Sequence, residues 1–242
     1  MKTIAFMIQK GGTGKTSLAG HVAWAASDSM KVCVIDADPQ GSISNWFLKD
    51  APPHELADVL HGESIEETLV QVKEQLHMIP TFSIAGDLAS TSTKLLEEPY
   101  LLQDLIQKLD YDLVVIDASP GMGPIERSVI VASDEVITPL TPEFFSWDGL
   151  DTFKSFLDKT NRTLRGRTGH KAIVANMVNK SFRRHKDIIE KYKTLNYNLF
   201  VVPQDSKIAE AQIVNQTVFT YAPDSRSIPA ILQLTQEVSY AS

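Results

Sequence analysis

A single α/β domain, built on a doubly wound, mostly parallel β-sheet with helices on both faces, is the fold class this sequence predicts, on three observations. Short apolar runs alternate along the whole chain with segments of helical pattern, the order that winds a parallel sheet. Most of those runs, such as "KVCVID" and "DLVVID", are apolar on both faces, as strands covered by helices on each side must be. The chain of 242 residues, 43% hydrophobic and 22% charged, is enough for one ample core and leaves little room for a second.

"TIAFMI" (3–8) reads as the first strand, and 14–28, beginning in a glycine-rich turn, as the first helix. "KVCVID" (31–36) is the second strand, followed by a helix at 42–48. "LHMIP" (76–80) precedes a helix at 100–109, and "DLVVID" (112–117) one at 124–132. "EVITPL" (135–140) leads into 147–159, "KAIVANMV" (171–178) into 181–193, and "YNLFVV" (197–202) into helices at 206–215 and 227–240. There is no internal repeat, low-complexity tract or linker, so residues 1–242 are taken as one domain; "DAPPHE" (50–55) and "NRTLRGRTGH" (161–170) read as surface loops.

Composition removes several classes of function. No apolar run approaches the ~20 residues of a membrane span, and "MKTIAFMIQKGG" turns polar too soon for a signal peptide, so a cytoplasmic protein is expected. The single cysteine, Cys33, sits inside an apolar strand and reads as a core residue, which leaves no disulfide framework or cysteine-bound cluster within one chain. The net charge of −7 is uneven: up to Lys159 there are 11 basic and 24 acidic residues, and from Thr160 onward 12 basic and 6 acidic. The C-terminal third can therefore face a polyanion, although ordinary solvated helices would carry the same charges.

The chemistry begins at "QKGGTGKTS" (9–17), between the first strand and the first helix. In that setting glycines admit backbone N–H groups to phosphate oxygens, and the helix start adds its positive end. Lys10, Gly11, Gly12, Thr13, Gly14, Lys15, Thr16 and Ser17 form the candidate phosphate cradle. Lys15 is placed to reach the β and γ phosphates, and the Thr16 hydroxyl to bind Mg²⁺. Gln9 stands where the GxxxxGK[ST] pattern wants glycine, and Lys10 is a second lysine five residues before Lys15. Asp36 and Asp38 in "VIDADPQGS", two apart in extended chain, leave on one side at a strand's carboxyl end. Asp117 in "LVVIDASPG" ends another strand as an acid that supports Mg²⁺.

"KGGTGKTS", "DADPQGS", "VVIDASPG" and "TPEFFSWDGL" resemble, in order and spacing, the deviant Walker family of ParA and MinD P-loop ATPases, above all the small ParA or Soj-like partition proteins. The likeness spans the whole chain and includes "LHMIPTFSIAGDLAS". It implies a Mg²⁺-dependent ATPase that ATP closes into a homodimer, in which Lys10 crosses to the other subunit's triphosphate; two such anions face to face each need a cation from across the interface. Lys10, Lys15 and Asp38 become the catalytic set, with Asp38 orienting water; a turn-forming role for Asp38 ahead of Pro39 is the alternative. Thr16, Asp36 and Asp117 organise Mg²⁺. Asn176 and Pro203 match positions that contact adenine. Phe144, Phe145 and Trp147 pack either on a dimer face or in the core. The run "PGMGP" departs from the serine-containing run of the family after that proline.

The resemblance also implies non-specific DNA as a partner, through Lys207 and Arg226 with Arg183, Arg184 and Lys186 beside them, a ParB-like activator, and residence on the nucleoid in the cytoplasm. Operator recognition is not expected, because the phosphate loop begins almost at Met1. A MinD-like membrane-associated positioning ATPase is the competing reading; its mark is a basic amphipathic terminal helix, and "SIPAILQLTQEVSYAS" holds no Lys or Arg, so no stable membrane anchor is expected. A metabolic relative, an amidating ligase or a cluster-bearing reductase, is third; the lone cysteine speaks against the second kind.

Overall fold

The computed structural model describes residues 1–82, 87–143 and 146–240, the side chains of 146, 147 and 240 excepted. The strands are β1 (Lys2–Phe6), β2 (Val32–Ala37), β3 (Val70–Lys73), β4 (Leu76–Ile79), β5 (Leu113–Ala118), β6 (Glu135–Leu140), β7 (Gly169–Val178) and β8 (Asn198–Pro203). The first half carries helices α1 (Lys15–Ala26), α2 (Ser42–Phe47), α3 (Leu56–His61), α4 (Ile65–Thr68), α5 (Asp87–Ser90), α6 (Ser92–Glu97) and α7 (Leu101–Ile106). The second half carries α8 (Pro124–Ala132), α9 (Ser146–Leu164), α10 (Arg183–Lys193), α11 (Ser206–Ile213), α12 (Val218–Tyr221) and α13 (Ile228–Tyr240).

The strands form one sheet in the order β3-β4-β2-β5-β1-β6-β7-β8. All neighbours are parallel except β3, which runs antiparallel to β4 at the edge. Every residue of β2 and β5 is buried, as a parallel sheet covered on both faces requires. One face packs under α3, α7, α8 and α9 around Ile116, Val129 and Phe153; the other lies under α1 and α13 around Leu18, Val22, Ile231 and Leu234. The doubly wound α/β class is therefore observed, as one sheet with a core on each side.

Differences from the sequence reading are local. Helices α3 to α6 and α12 and strand β3 are additional to the sequence reading; at four to six residues each they are too short to show a period. At the start of α3 only half of a capping box forms: Glu55 N donates to Asp58 Oδ2 at 2.8 Å, while Glu55 Oε2 accepts from Phe82 N at 2.7 Å. The stretch 161–170 is not one loop: 161–164 complete α9, and 169–170 begin β7. Phe144 and Phe145, with the side chain of Trp147, lie outside the described residues, as do 83–86 of the "LHMIPTFSIAGDLAS" segment.

Two glycines matter for the site. Gly14, the N-cap of α1, has φ 88°, and a Cβ there would stand 2.2 Å from Asn176 Nδ2. Gly20, inside α1, is where the Trp46 ring packs; a Cβ would stand 2.2 Å from it. A mid-helix glycine costs about 1 kcal/mol relative to alanine, which the close seating of α2 on α1 offsets.

Candidate nucleotide site

The parallel register of β2 and β5 sets Asp36 directly beside Asp117 at the carboxyl ends of the strands, and the register of β1 sets Phe6 on the other side of Asp117. In a doubly wound sheet, ligands bind at this end. The chain leaves β1, forms the loop through Gly12 (φ 71°) and Gly14 (φ 88°), and enters α1 with Lys15, Thr16 and Ser17 as its first three residues. Asn176, at the end of β7, donates from Nδ2 to the Thr13 carbonyl at 2.8 Å, so the sheet holds the loop from beneath.

Lys15 is only 7% exposed, and its Nζ donates to the Lys10 carbonyl at 3.4 Å. Burial lowers its pKa, while the carboxylates of Asp117 and Asp38 favour its charged form. Asp117 is fully buried and neither of its oxygens receives a hydrogen bond. Burial raises its carboxyl to about 7; the Thr16 hydroxyl and Lys15 ammonium oppose that rise, the hydroxyl without reaching acceptable hydrogen-bond geometry. An unsatisfied buried carboxylate costs several kcal/mol, which a cation would relieve. A hydroxyl and a carboxylate are hard oxygen donors that suit Mg²⁺, which keeps few protein ligands and shares phosphates and waters. Among the described residues no three His, Cys, Asp or Glu side chains form a cage.

Asp36 has a different place. It is fully buried, its Oδ2 accepts from Ser44 Oγ at 2.6 Å and Ser44 N at 3.1 Å, and its Oδ1 accepts from Asp38 N at 3.2 Å. Ser44 Oγ in turn accepts from Thr81 N at 2.9 Å. Burial and then the neighbouring Asp117 raise its pKa well above the usual carboxylate range. With Oδ2 tied to α2 and Oδ1 to the Asp38 N–H, Asp36 anchors the start of that helix, whereas the Asp117 oxygens accept no bond from any described residue. Asp38 Oδ1 accepts from Gln40 N at 2.9 Å, the turn-forming bond, yet the residue also lines the cavity.

That cavity holds about 600 Å³ and is walled by the loop glycines, Lys15, Thr16, Ser17, Asp38, Trp46, Met177 and Gln212. The size suits a nucleotide-sized ligand. A family model for an AAA domain, of the ParA/MinD type, matches residues 1–169.

The chain belongs to the ParA/MinD family of P-loop ATPases. It is 37% identical to an uncharacterised protein of Borreliella burgdorferi, over 97% of this chain and 98% of that one. It is 26% identical to the chromosome-partitioning ATPase Soj of Thermus thermophilus, over 98% and 95%. A crystal structure of a plasmid partition protein from Borrelia burgdorferi superposes with a TM-score of 0.78 at 25% identity, over 96% of each chain.

In this ParA/MinD chain Lys10 does not line that cavity. Lys10 lines an adjoining groove with Gln9, Pro120 and Asp148, and its Nζ pairs with Glu143 at 2.9 Å. Asn176 and Pro203, expected against adenine, do not line the cavity; Asn176 has both ends of its amide engaged, by the Thr13 carbonyl and the Met177 N–H. Met177 lines the wall instead, held at φ 56° where β7 loses register with β8. Trp46, Asn45, Gln40, Met177 and Gln212 escaped the sequence reading because each reaches the cavity from an element whose position only the fold sets.

The DNA candidates fall into two groups. Lys207 and Arg226 gather around Asp205: Asp205 caps Lys207 N at 3.0 Å, Lys207 Nζ pairs with Glu210 at 2.7 Å, and Arg226 Nε stands 3.9 Å from Asp205 while its guanidinium donates to the Gln204 carbonyl. Arg183 and Arg184 open α10, where the Arg184 guanidinium lies 5.4 Å over the Phe182 ring and acts electrostatically on Glu143, the partner of Lys10. Arg184 thus stands toward the phosphate-loop face. Among the described residues no helix is long and apolar enough to cross a membrane.

Proposed function

We propose that this chain is a Mg²⁺-dependent ATPase that ATP joins into a homodimer, that binds DNA without sequence preference in that state, and that partitions or positions a plasmid, chromosome region or other cargo. The observation that carries the reading is Asp117, a buried carboxylate that accepts no hydrogen bond from any described residue and lies close to Lys15 and Thr16 of the glycine-rich loop and helix start. The names of the relatives, a chromosome-partitioning ATPase and a plasmid partition protein, support the biological half.

Lys15 and the loop N–H groups hold the β and γ phosphates. Thr16 and Asp117 hold Mg²⁺, which when bound supplies neutralising charge to the phosphate oxygens. Asp38, at the cavity wall, orients the attacking water. Lys10 leaves Glu143 and crosses to the partner's triphosphate, so the γ-phosphate favours the dimer by a contact that ADP cannot make. Lys207 and Arg226 of both copies then act on one DNA, and the released counterions make binding steeply salt-dependent. A ParB-like partner stimulates hydrolysis, and the protein works in the cytoplasm on the nucleoid.

DNA binding measured without nucleotide, with ADP and with ATP tests the reading. Binding that needs ATP supports it; equal binding in all three states removes the switch.

A further inference from the structure

Ser17, the third residue of α1, donates from Oγ to Oε1 of Gln212 on α11 at 3.1 Å, across 195 positions of sequence. Gln212 lines the cavity, and its Nε2 has no hydrogen-bond partner among the described residues. One end of the amide is therefore bound to the phosphate-loop helix, and the other leaves two N–H donors at the wall of a site built for an anion. The first turn of α1 is where its N–H groups face phosphate, so the ligand acceptors closest to Ser17 are phosphate oxygens.

The chain that follows Gln212 is fastened to α1 and α2. Asn215 Nδ2 donates to the Asn45 carbonyl at 3.2 Å, Trp46 Nε1 to the Gln216 carbonyl at 2.9 Å, and Val218 N to His21 Nε2 at 2.9 Å. Asn215 takes the left-handed conformation, φ 55°, to make this turn. The chain before Gln212 is α11, eight residues long, with Lys207 in its first turn. A helix this short moves as one body, so a change at Gln212 is felt at Lys207, about 7.5 Å along the axis.

We propose that Gln212 is a nucleotide-sensing residue: it exchanges its bond with Ser17 for bonds to a bound nucleoside polyphosphate, and that exchange repositions α11. The inference rests on the nucleotide reading of the cavity and adds a site residue and a route from it to the Lys207 region.

The test uses the full chain with Mg²⁺ and a non-hydrolysable ATP analogue. Amide hydrogen exchange is followed in 9–17 and 206–213, with affinity by calorimetry, for the native protein, Gln212→Ala and Gln212→Glu. In the native protein the analogue should slow exchange in both segments. Gln212→Ala should bind roughly three- to tenfold more weakly, the loss of one or two hydrogen bonds, and protect 9–17 while 206–213 no longer responds. Gln212→Glu, nearly the same shape, keeps the acceptor for Ser17 but puts a charge beside the phosphates, and should bind more weakly than Gln212→Ala. Native affinity in both variants, or an unchanged response of 206–213 in Gln212→Ala, overturns the proposal while leaving the nucleotide reading intact. Absence of analogue binding to the native protein overturns both.

Discussion

Lys10 Nζ stands 2.9 Å from Glu143 Oε2, so the lysine that would reach a second subunit is held by a carboxylate of its own chain. The two side chains are 35% and 58% exposed, and a pair so open to solvent contributes at most about 1 kcal/mol. Lys10 lowers the pKa of Glu143 first by the hydrogen bond and then by its charge. The pair is firm enough to place Lys10 and weak enough to yield to a triphosphate.

Removing either partner separates these effects. Glu143→Gln should leave stability within about 0.5 kcal/mol and lower, several-fold, the analogue concentration at which dimers form. Lys10→Ala should bind the analogue yet remain monomeric. Light scattering reads both, and a dimeric Lys10→Ala protein would refute the crossing role.

Asp117→Asn should stabilise the ligand-free protein while destroying its response to Mg²⁺. The amide keeps the shape and removes a buried charge whose burial costs several kcal/mol. A melting temperature that rises without ligand, and no longer rises further with Mg²⁺ and nucleotide, is the expected pair of results. A fall without ligand would show that the carboxylate is satisfied after all.

Lys15→Gln should lose nucleotide binding, whereas Asp38→Ala should bind nucleotide and hydrolyse it at least a hundredfold more slowly, in the range typical for loss of a residue that acts on the reacting water. Steady phosphate release at the native rate from Asp38→Ala would leave it only the turn bond to Gln40.

Replacing Lys207 and Arg226 together by alanine should weaken DNA binding and reduce its salt slope by about two per protomer. Because Lys207 is paired with Glu210 at 2.7 Å, Glu210→Gln should act in the opposite direction and strengthen binding. Fluorescence anisotropy over a salt series distinguishes the two, and unchanged affinity in the double variant would move the DNA face elsewhere.

His21 is fully buried in α1, with Nδ1 toward the Ser17 carbonyl at 2.6 Å and Nε2 accepting from Val218 N. Burial lowers its pKa to about 4, and burial likewise lowers His170 to about 4. Each group binds its proton more readily when unfolded, so the stability it contributes is complete above about pH 6.5 and is lost as pH falls toward 4. For His21 the loss is on the order of 3 kcal/mol. Denaturant midpoints should drop between pH 7 and 5, and His21→Gln should shallow that slope; a slope unchanged by the substitution would assign it to other groups.

The nucleotide site was legible in part because its chemistry is local. The run 9–17 carries its glycines, lysines and hydroxyl in sequence, and an acid after four apolar residues marks the end of a buried strand, as at Asp117. Asp36 and Asp117 looked alike by that rule. They differ because Ser44, in the helix that follows, occupies Oδ2 of Asp36 and the Asp38 N–H its Oδ1, while no described residue donates to Asp117. Asn176, expected against adenine, is found under Thr13, a placement that only the fold shows.

The sequence alone determined the layered α/β class, the position of the glycine-rich loop at a strand-to-helix junction, and a run of residue types that suits a triphosphate, because strand burial and loop conformation follow from neighbours within a few positions. The tertiary structure decided which carboxylate stays unpaired, that Lys10 rests on Glu143, and that Gln212 reaches Ser17. The Lys10 and Gln212 contacts join segments 133 and 195 positions apart, and the pairing of Asp36 needs α2 folded back onto β2, so each depends on how the sheet and helices pack and no local pattern carries it.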